Sequence, residues 1–378
     1  MRELKVAYMM GGLNRGGAET IMLDVFRNAY KAPYKMIGIH RKDGAYHKEF
    51  YTAGPKMVQL APKLFGYIRY LLKLRYILKK EGITVVHSQH WLDCIYSWLA
   101  TIGMHIQIVC TYHGFFPMRG IKGVLCRLSI NVADDVCFVS KFEQDWYVKQ
   151  IKISPSKCHV LYNAVNYKKI QSAISSGELR KDSKYINLAM VGNFVEVRDH
   201  VTLVKALALL AKRNAEHIEV PPFNFYFIGN RSEEEHEIYD ECERICKENG
   251  LKNVHFLGGR GDVPALLKSV DGFVYSTDHD TFGVAVVEAM AAGLPIVVND
   301  WPVMKEVCGD NEENNVRYFQ SRNVEDCANV IAKLLDDLTH QTEEFRKQCT
   351  HNIQWIIEKY SIENYCKSML QIYNQKDI

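Results

Sequence analysis

Two carboxylates eight positions apart, Asp280 and Glu288, flank a change of backbone type within the stretch 276–295, STDHDTFGVAVVEAMAAGLP. The apolar run Gly272–Tyr275 reads as a buried strand, and Ser276–Thr281 as a polar loop. Phe282–Met290 reads as an apolar helix, stopped at Gly293 and Pro295. If the span between the two acids is mostly helical, they lie roughly 10 Å apart. That is too far to share a proton, and suits groups holding opposite ends of one elongated anionic ligand. The first turn of such a helix has N–H groups without intrahelical acceptors, here at Phe282, Gly283 and Val284, and these favour a phosphate. Gly283 lets the backbone approach that ligand closely.

These residues need a scaffold, and the rest of the chain supplies its outline. At 378 residues, 47% of them hydrophobic, two domains are expected. Strands are expected at Leu4–Met10, Tyr34–Ile39, Thr84–His87, Ile106–Tyr112, Asp135–Val139 and Lys157–Leu161. After a polar stretch the rhythm restarts at Ile186–Val191, Asn224–Ile228, Val254–Leu257, Gly272–Tyr275, Pro295–Val298 and Val316–Phe319. Apolar strands alternating with helical patterns define an α/β chain of two doubly wound, Rossmann-like domains with parallel sheets. Ligands in such sheets bind beyond the carboxyl ends of the strands, so a central cleft between facing domains is expected. Lys and Arg (47) nearly balance Asp and Glu (44), so the overall charge implies no nucleic-acid partner. The 11 cysteines are scattered without a Cys-x-x-Cys pair, a reduced, cytoplasmic pattern with no zinc site. No signal peptide and no run long enough to span a membrane is read.

The string Asp280-Thr281-Phe282-Gly283, then Glu288-Ala-Met-Ala-Ala-Gly293-Leu-Pro295, resembles the signature of family 4 retaining glycosyltransferases of the GT-B fold. There both acids are usually Glu. This chain keeps the spacing, with the shorter Asp280 at the first position. The resemblance runs over most of residues 4–320 and is strongest over 250–300. It implies an N-terminal acceptor-side domain, 1–165, with a C-terminal helix at about 355–378 packing back on it. It also implies a C-terminal nucleotide-sugar-binding domain, 166–354.

The family likeness also assigns residues. Gly192-Asn193-Phe194 through Arg198 matches a Gly-Arg-Leu-x-x-x-Lys stretch whose two cations meet the donor diphosphate; here Asn193 and Arg198 stand in those places. Arg198 keeps a bidentate phosphate grip. His113, at a strand's end before Gly114, takes the position that lines the reacting sugar. Gly16 and Gly17 match a loop facing diphosphate and acceptor, though plain turn chemistry also explains them. Arg260 follows a turn that contacts the nucleotide base. On this assignment the catalytic residues are His113, Asp280 and Arg198. The donor-binding residues are Gly16, Gly17, Asn193, Arg260, Phe282, Gly283, Val284 and Glu288. Neither a metal nor a cofactor is expected, and His87 with His90 lacks a third ligand.

The activity implied is transfer of a sugar from a nucleotide-sugar donor, a UDP-sugar, to a hydroxyl of a lipid-linked or polysaccharide precursor. A nucleotide-sugar epimerase of the same fold, or a catalytically lapsed nucleotide-sugar-binding protein, are the alternatives. Residues 63–80 are basic and aromatic, with Lys63, Arg69, Lys73, Arg75, Lys79 and Lys80. They read either as a crossover helix with solvated charges or as a peripheral contact with the inner face of the cell membrane. Ser140 and Glu143 read as a capping box.

Overall fold

The computed structural model describes residues 3–62, 66–179, 184–215, 220–309 and 313–374. Lys63, counted above with the basic segment, lies outside the described residues. The chain forms two compact units, Met1–Ala164 with Tyr360–Ile378, and Val165–Lys359.

Unit 1 contains β1 (Lys5–Met10), β2 (Lys35–His40), β3 (Lys56–Gln59), β4 (Val85–Ser88), β5 (Gln107–Tyr112), β6 (Asp135–Phe138) and β7 (Cys158–Val160). All pair in parallel in the order β3-β2-β1-β4-β5-β6-β7. Between them run α1 (Gly17–Arg27), α2 (His47–Tyr51), α3 (Tyr67–Glu81), α4 (Trp91–Thr101), α5 (Gly120–Val132) and α6 (Lys141–Gln150). The strand Lys56–Gln59 was not expected from the sequence. It is a four-residue edge strand whose ends, Lys56 and Gln59, are exposed, so it lacks the long apolar run that marks the central strands.

Unit 2 begins with α7 (Tyr167–Gln171). Its parallel sheet holds β8 (Ile186–Val191), β9 (Phe223–Ile228), β10 (Val254–Phe256), β11 (Gly272–Tyr275), β12 (Ile296–Asn299) and β13 (Val316–Phe319). Their order is β10-β9-β8-β11-β12-β13. Its helices are α8 (His200–Ala215), α9 (His236–Glu248), α10 (Val263–Leu267), α11 (Val284–Ala291), α12 (Pro302–Cys308), α13 (Val324–His340) and most of α14 (Glu343–Tyr360).

Each sheet reverses its strand order once, between β1 and β4 in unit 1 and between β8 and β11 in unit 2. The loops at those reversals diverge, one to each face, and leave a crevice beyond the strand ends. The residues with chemical potential gather there.

The final helix, α15 (Ile362–Asn374), belongs to unit 1. Its Tyr373 hydroxyl donates to Tyr8 Oη at 3.1 Å and lies 2.9 Å from His87 Nδ1. Gln107 Nε2 donates to the Ile372 carbonyl at 3.2 Å. The change of unit comes at Tyr360, a turn or more after the expected position near 355. Asn352, donating to the Leu294 carbonyl, and Trp355, donating to the Val307 carbonyl, tie the preceding turns of α14 to unit 2.

Candidate active site

In unit 2 the loop after β8 carries Gly192–Asp199, and the loop after β11 carries Ser276–Gly283. Several bonds lace the two loops together. Ser276 Oγ donates to Asp199 Oδ2 at 3.1 Å, and Thr277 Oγ1 donates to the Val197 carbonyl at 2.8 Å. Asn299, buried at the end of β12, accepts from Thr277 N–H and donates to its carbonyl. Thr277 Oγ1 accepts from Asp280 N–H at 3.1 Å, while Trp301 Nε1 donates to the Asp280 carbonyl at 3.0 Å. The backbone around Asp280 is thus fixed from three sides.

Tyr275, the last residue of β11 and wholly buried, joins the cation to the acid. Arg198 Nε donates to its hydroxyl at 3.0 Å, and that hydroxyl donates to Asp280 Oδ2. The neighbouring phenol pushes the guanidinium pKa further up, against burial, and Asp280 acts in the same direction. Burial raises the Tyr275 phenol as well, with Arg198 opposing. Arg198 is therefore a fixed cation, and no bond within the described residues engages its Nη nitrogens. Gly192 makes room for it: a Cβ there would stand 2.7 Å from Arg198 Cδ and Nε.

The helix α11 starts at Val284, two residues later than the sequence suggested. Gly283 is its N-cap and adopts the left-handed region (φ 83°, ψ 59°), which ends the loop and disfavours any side chain there. Phe282 therefore precedes the helix and is buried at 2% exposure. Val284, Ala285 and Glu288 form the partly exposed face of α11. Its first-turn N–H groups face the same end of the sheet as Arg198, an arrangement that stabilises phosphate oxygens.

Two other expected donor contacts have protein partners. Asn193 is exposed, and its Oδ1 accepts from the Asn230 N–H at 3.0 Å. Arg260 is clamped by two carboxylates, Asp262 at 2.8–2.9 Å and Glu178 at 3.0–3.3 Å.

In unit 1, Gly16 is the N-cap of α1 and Gly17 its first residue. His113 directly follows β5, as its sequence position suggested. Its Nε2 lies 2.8 Å from Gln89 Oε1, just past the end of β4. Burial, with His90 adding to it, lowers the His113 pKa to about 4. His87 is held between Tyr373 and Thr111, and His90 Nδ1 caps α4 by accepting from Leu92 N–H. Ser140 caps α6 by accepting from Glu143 N–H, and the Glu143 carboxylate accepts from Val139 N–H, one residue before the N-cap position that a capping box uses.

Sequence reasoning missed Tyr275, Asn299, Trp301 and Gln89. The first had a usable signal, a hydroxyl ending a strand directly beside the reversal of strand order. The others act through contacts between segments far apart in the chain.

Two doubly wound parallel-sheet units are the architecture of the GT-B fold. The chain matches the model of glycosyltransferase family 4 over residues 15–169 and that of glycosyl transferases group 1 over residues 172–356. It belongs to the family 4 glycosyltransferases. The chain is similar to the UDP-Gal:α-D-GlcNAc-diphosphoundecaprenol α-1,3-galactosyltransferase of Escherichia coli. The two are 23% identical over 284 residues, 71% of this chain and 70% of that protein. A glycosyltransferase from Rickettsia africae superposes with a TM-score of 0.84 at 17% identity, over 99% of both chains. Anabaena HepE, solved in complex with UDP and glucose, gives 0.81 at 16% identity, over 98% of this chain and 99% of that one.

Proposed function

We propose that this chain transfers a sugar from a UDP-sugar to a hydroxyl of a lipid-linked or polysaccharide precursor, with retention of anomeric configuration and without a metal. One observation carries the reading: Arg198 is held by Tyr275, whose hydroxyl also bonds Asp280 in the loop that leads into α11, and no bond within the described residues engages its Nη nitrogens. As the C1–O bond to the diphosphate breaks, negative charge grows on the leaving oxygens. A cation and N–H dipoles oriented in advance stabilise that charge without reorganisation. C1 bonds to the acceptor oxygen, and the acceptor proton passes to a leaving-group oxygen. Glu288 holds the ribose hydroxyls, and Asp280 and His113 hold the donor sugar. Asn193 and Arg260, given their protein partners, contribute less than the sequence suggested. The UDP bound by Anabaena HepE and the diphosphoundecaprenol acceptor of the Escherichia coli relative support the substrate classes.

The surface of α3 supports work at a membrane face. Tyr70, Leu74 and Leu78 are buried against the sheet. On the opposite side Ile68, Leu72 and Tyr76, spaced every four residues, are 77%, 62% and 64% exposed. Arg69, Lys73, Lys79 and Lys80 are exposed beside them. Arg75 is not part of this basic face, because its guanidinium donates to the carbonyls of Ala100 and Ile102. An apolar stripe flanked by lysines fits an anionic lipid surface. No helix among the described residues is long and apolar enough to cross a membrane.

The test is turnover of UDP-glucose, UDP-galactose and UDP-N-acetylglucosamine with an undecaprenyl-diphosphate-linked sugar as acceptor, with and without EDTA, the product anomer being read by NMR. Transfer abolished in Arg198→Ala and reduced in Glu288→Ala supports the reading. Protein that binds UDP but neither transfers nor hydrolyses any donor, and regains activity as Asp280→Glu, is instead a lapsed enzyme.

A further inference from the structure

Two buried polar atoms at the carboxyl end of unit 1's sheet have no hydrogen-bond partner, His113 Nδ1 and Gln89 Nε2. They belong to side chains already bonded to each other, His113 Nε2 to Gln89 Oε1 at 2.8 Å. An amide oxygen can only accept, so the ring proton sits on Nε2 and Nδ1 presents its lone pair. Gln89 Nε2 presents N–H. The pair thus offers one acceptor and one donor, both shielded from bulk water. Groups buried in this state are normally satisfied, so their natural complement is a group that both donates and accepts. Gln89 also lines a cavity of about 100 Å³ with Gly11, Ala18, Glu19 and His90, large enough for a small polar group and too small for a whole ligand.

We infer that Gln89 is a positioning residue: it fixes His113 as the Nε2–H tautomer, so that Nδ1 accepts from a hydroxyl of the donor sugar while the Gln89 amide donates to a sugar oxygen. The inference rests on the assignment of His113 to the donor sugar and deepens it. The pair reads hydroxyl groups, so a donor lacking the right one leaves buried polar atoms unpaired.

The test has two arms. Long-range 1H–15N spectra of the imidazole rings, with His113 assigned by its loss in His113→Gln, should show the Nε2–H form in the wild type. Gln89→Leu should release the tautomer, and Gln89→Glu, which keeps an acceptor, should retain it. In the second arm kcat/KM is measured for whichever of UDP-glucose, UDP-galactose and UDP-N-acetylglucosamine is turned over, and for its monodeoxy analogues. One deoxy position should lose about 10- to 100-fold in the wild type, and less than about threefold in Gln89→Leu, with Gln89→Glu between them. His113 found as Nδ1–H, or equal discrimination in wild type and a folded Gln89→Leu, overturns the inference. No turnover of any donor, with the tautomer as expected, removes the functional reading and the hydroxyl assignment with it.

Discussion

Tyr275→Phe isolates the contact on which the proposed donor grip depends. The substitution keeps the buried ring and deletes only the hydroxyl that bonds Arg198 Nε and Asp280 Oδ2. Hydrogen bonds to charged groups contribute about 1.5–3 kcal/mol each, and losing the phenol's own desolvation penalty offsets part of two such bonds. A net loss of about 2 kcal/mol is expected, which lowers Tm by about 4–8 °C for a unit of this size. Arg198 then loses the partner that aims it, and UDP affinity should weaken about tenfold, or ~1.4 kcal/mol. Calorimetric titration of UDP and thermal melting measure both quantities. Tyr226→Phe is the control: Tyr226 bonds only neutral Asn187 at 3.4 Å, and its loss should leave UDP affinity unchanged. UDP binding by Tyr275→Phe within twofold of wild type, with Tm unmoved, refutes the reasoning that this hydroxyl organises the site.

Other outcomes follow from the same geometry. Glu288→Gln should weaken UDP binding more than it weakens inorganic diphosphate, because the carboxylate is assigned to ribose; competition of both ligands against a fluorescent UDP analogue measures the difference. Acid should destabilise both units. Burial lowers His87 to about 3, with His113 adding to it, and lowers His200 to about 3, with Arg198 adding to it; His113 sits at about 4. Below about 6.5 the unfolded chain binds protons that the folded chain refuses, so stability present above that pH is lost as pH falls toward 4, by about 2 kcal/mol per histidine at pH 5. Urea midpoints at pH 7.5 and 5.0 test this, and a midpoint independent of pH would contradict it. Leu72→Glu should abolish sedimentation with vesicles containing phosphatidylglycerol and leave UDP binding intact.

The central strands were legible because they are buried on both faces and therefore read as unbroken apolar runs. The strand at Lys56–Gln59 was hidden by the same logic, since an exposed edge carries lysine and glutamine. Phe282 was read as helical for its hydrophobicity; a left-handed Gly283 instead puts it in the loop, and backbone sign is not written in hydrophobic pattern. Asp280 stood out by its spacing from Glu288 and Arg198 only through the family likeness, while the tyrosine joining them carried a signal, a hydroxyl at a strand end, that the reading passed over. Arg260 has surroundings that its sequence position did not show. Its position suggested a ligand, yet Glu178, 82 residues away, and Asp262, two residues on, surround it.

The docking of α15 by Tyr373 onto Tyr8 and His87 has a consequence for biosynthesis. A ribosome delivers residues 1–164 long before the helix that covers the buried hydroxyls of their sheet. Between those events every strand of Val165–Lys359 emerges. Unit 2 can mature while unit 1 waits as an unfinished sheet, its tyrosines wet, until the last helix arrives. Deleting residues 360–378 should therefore leave a chain whose unit 2 folds while chaperones hold its unit 1.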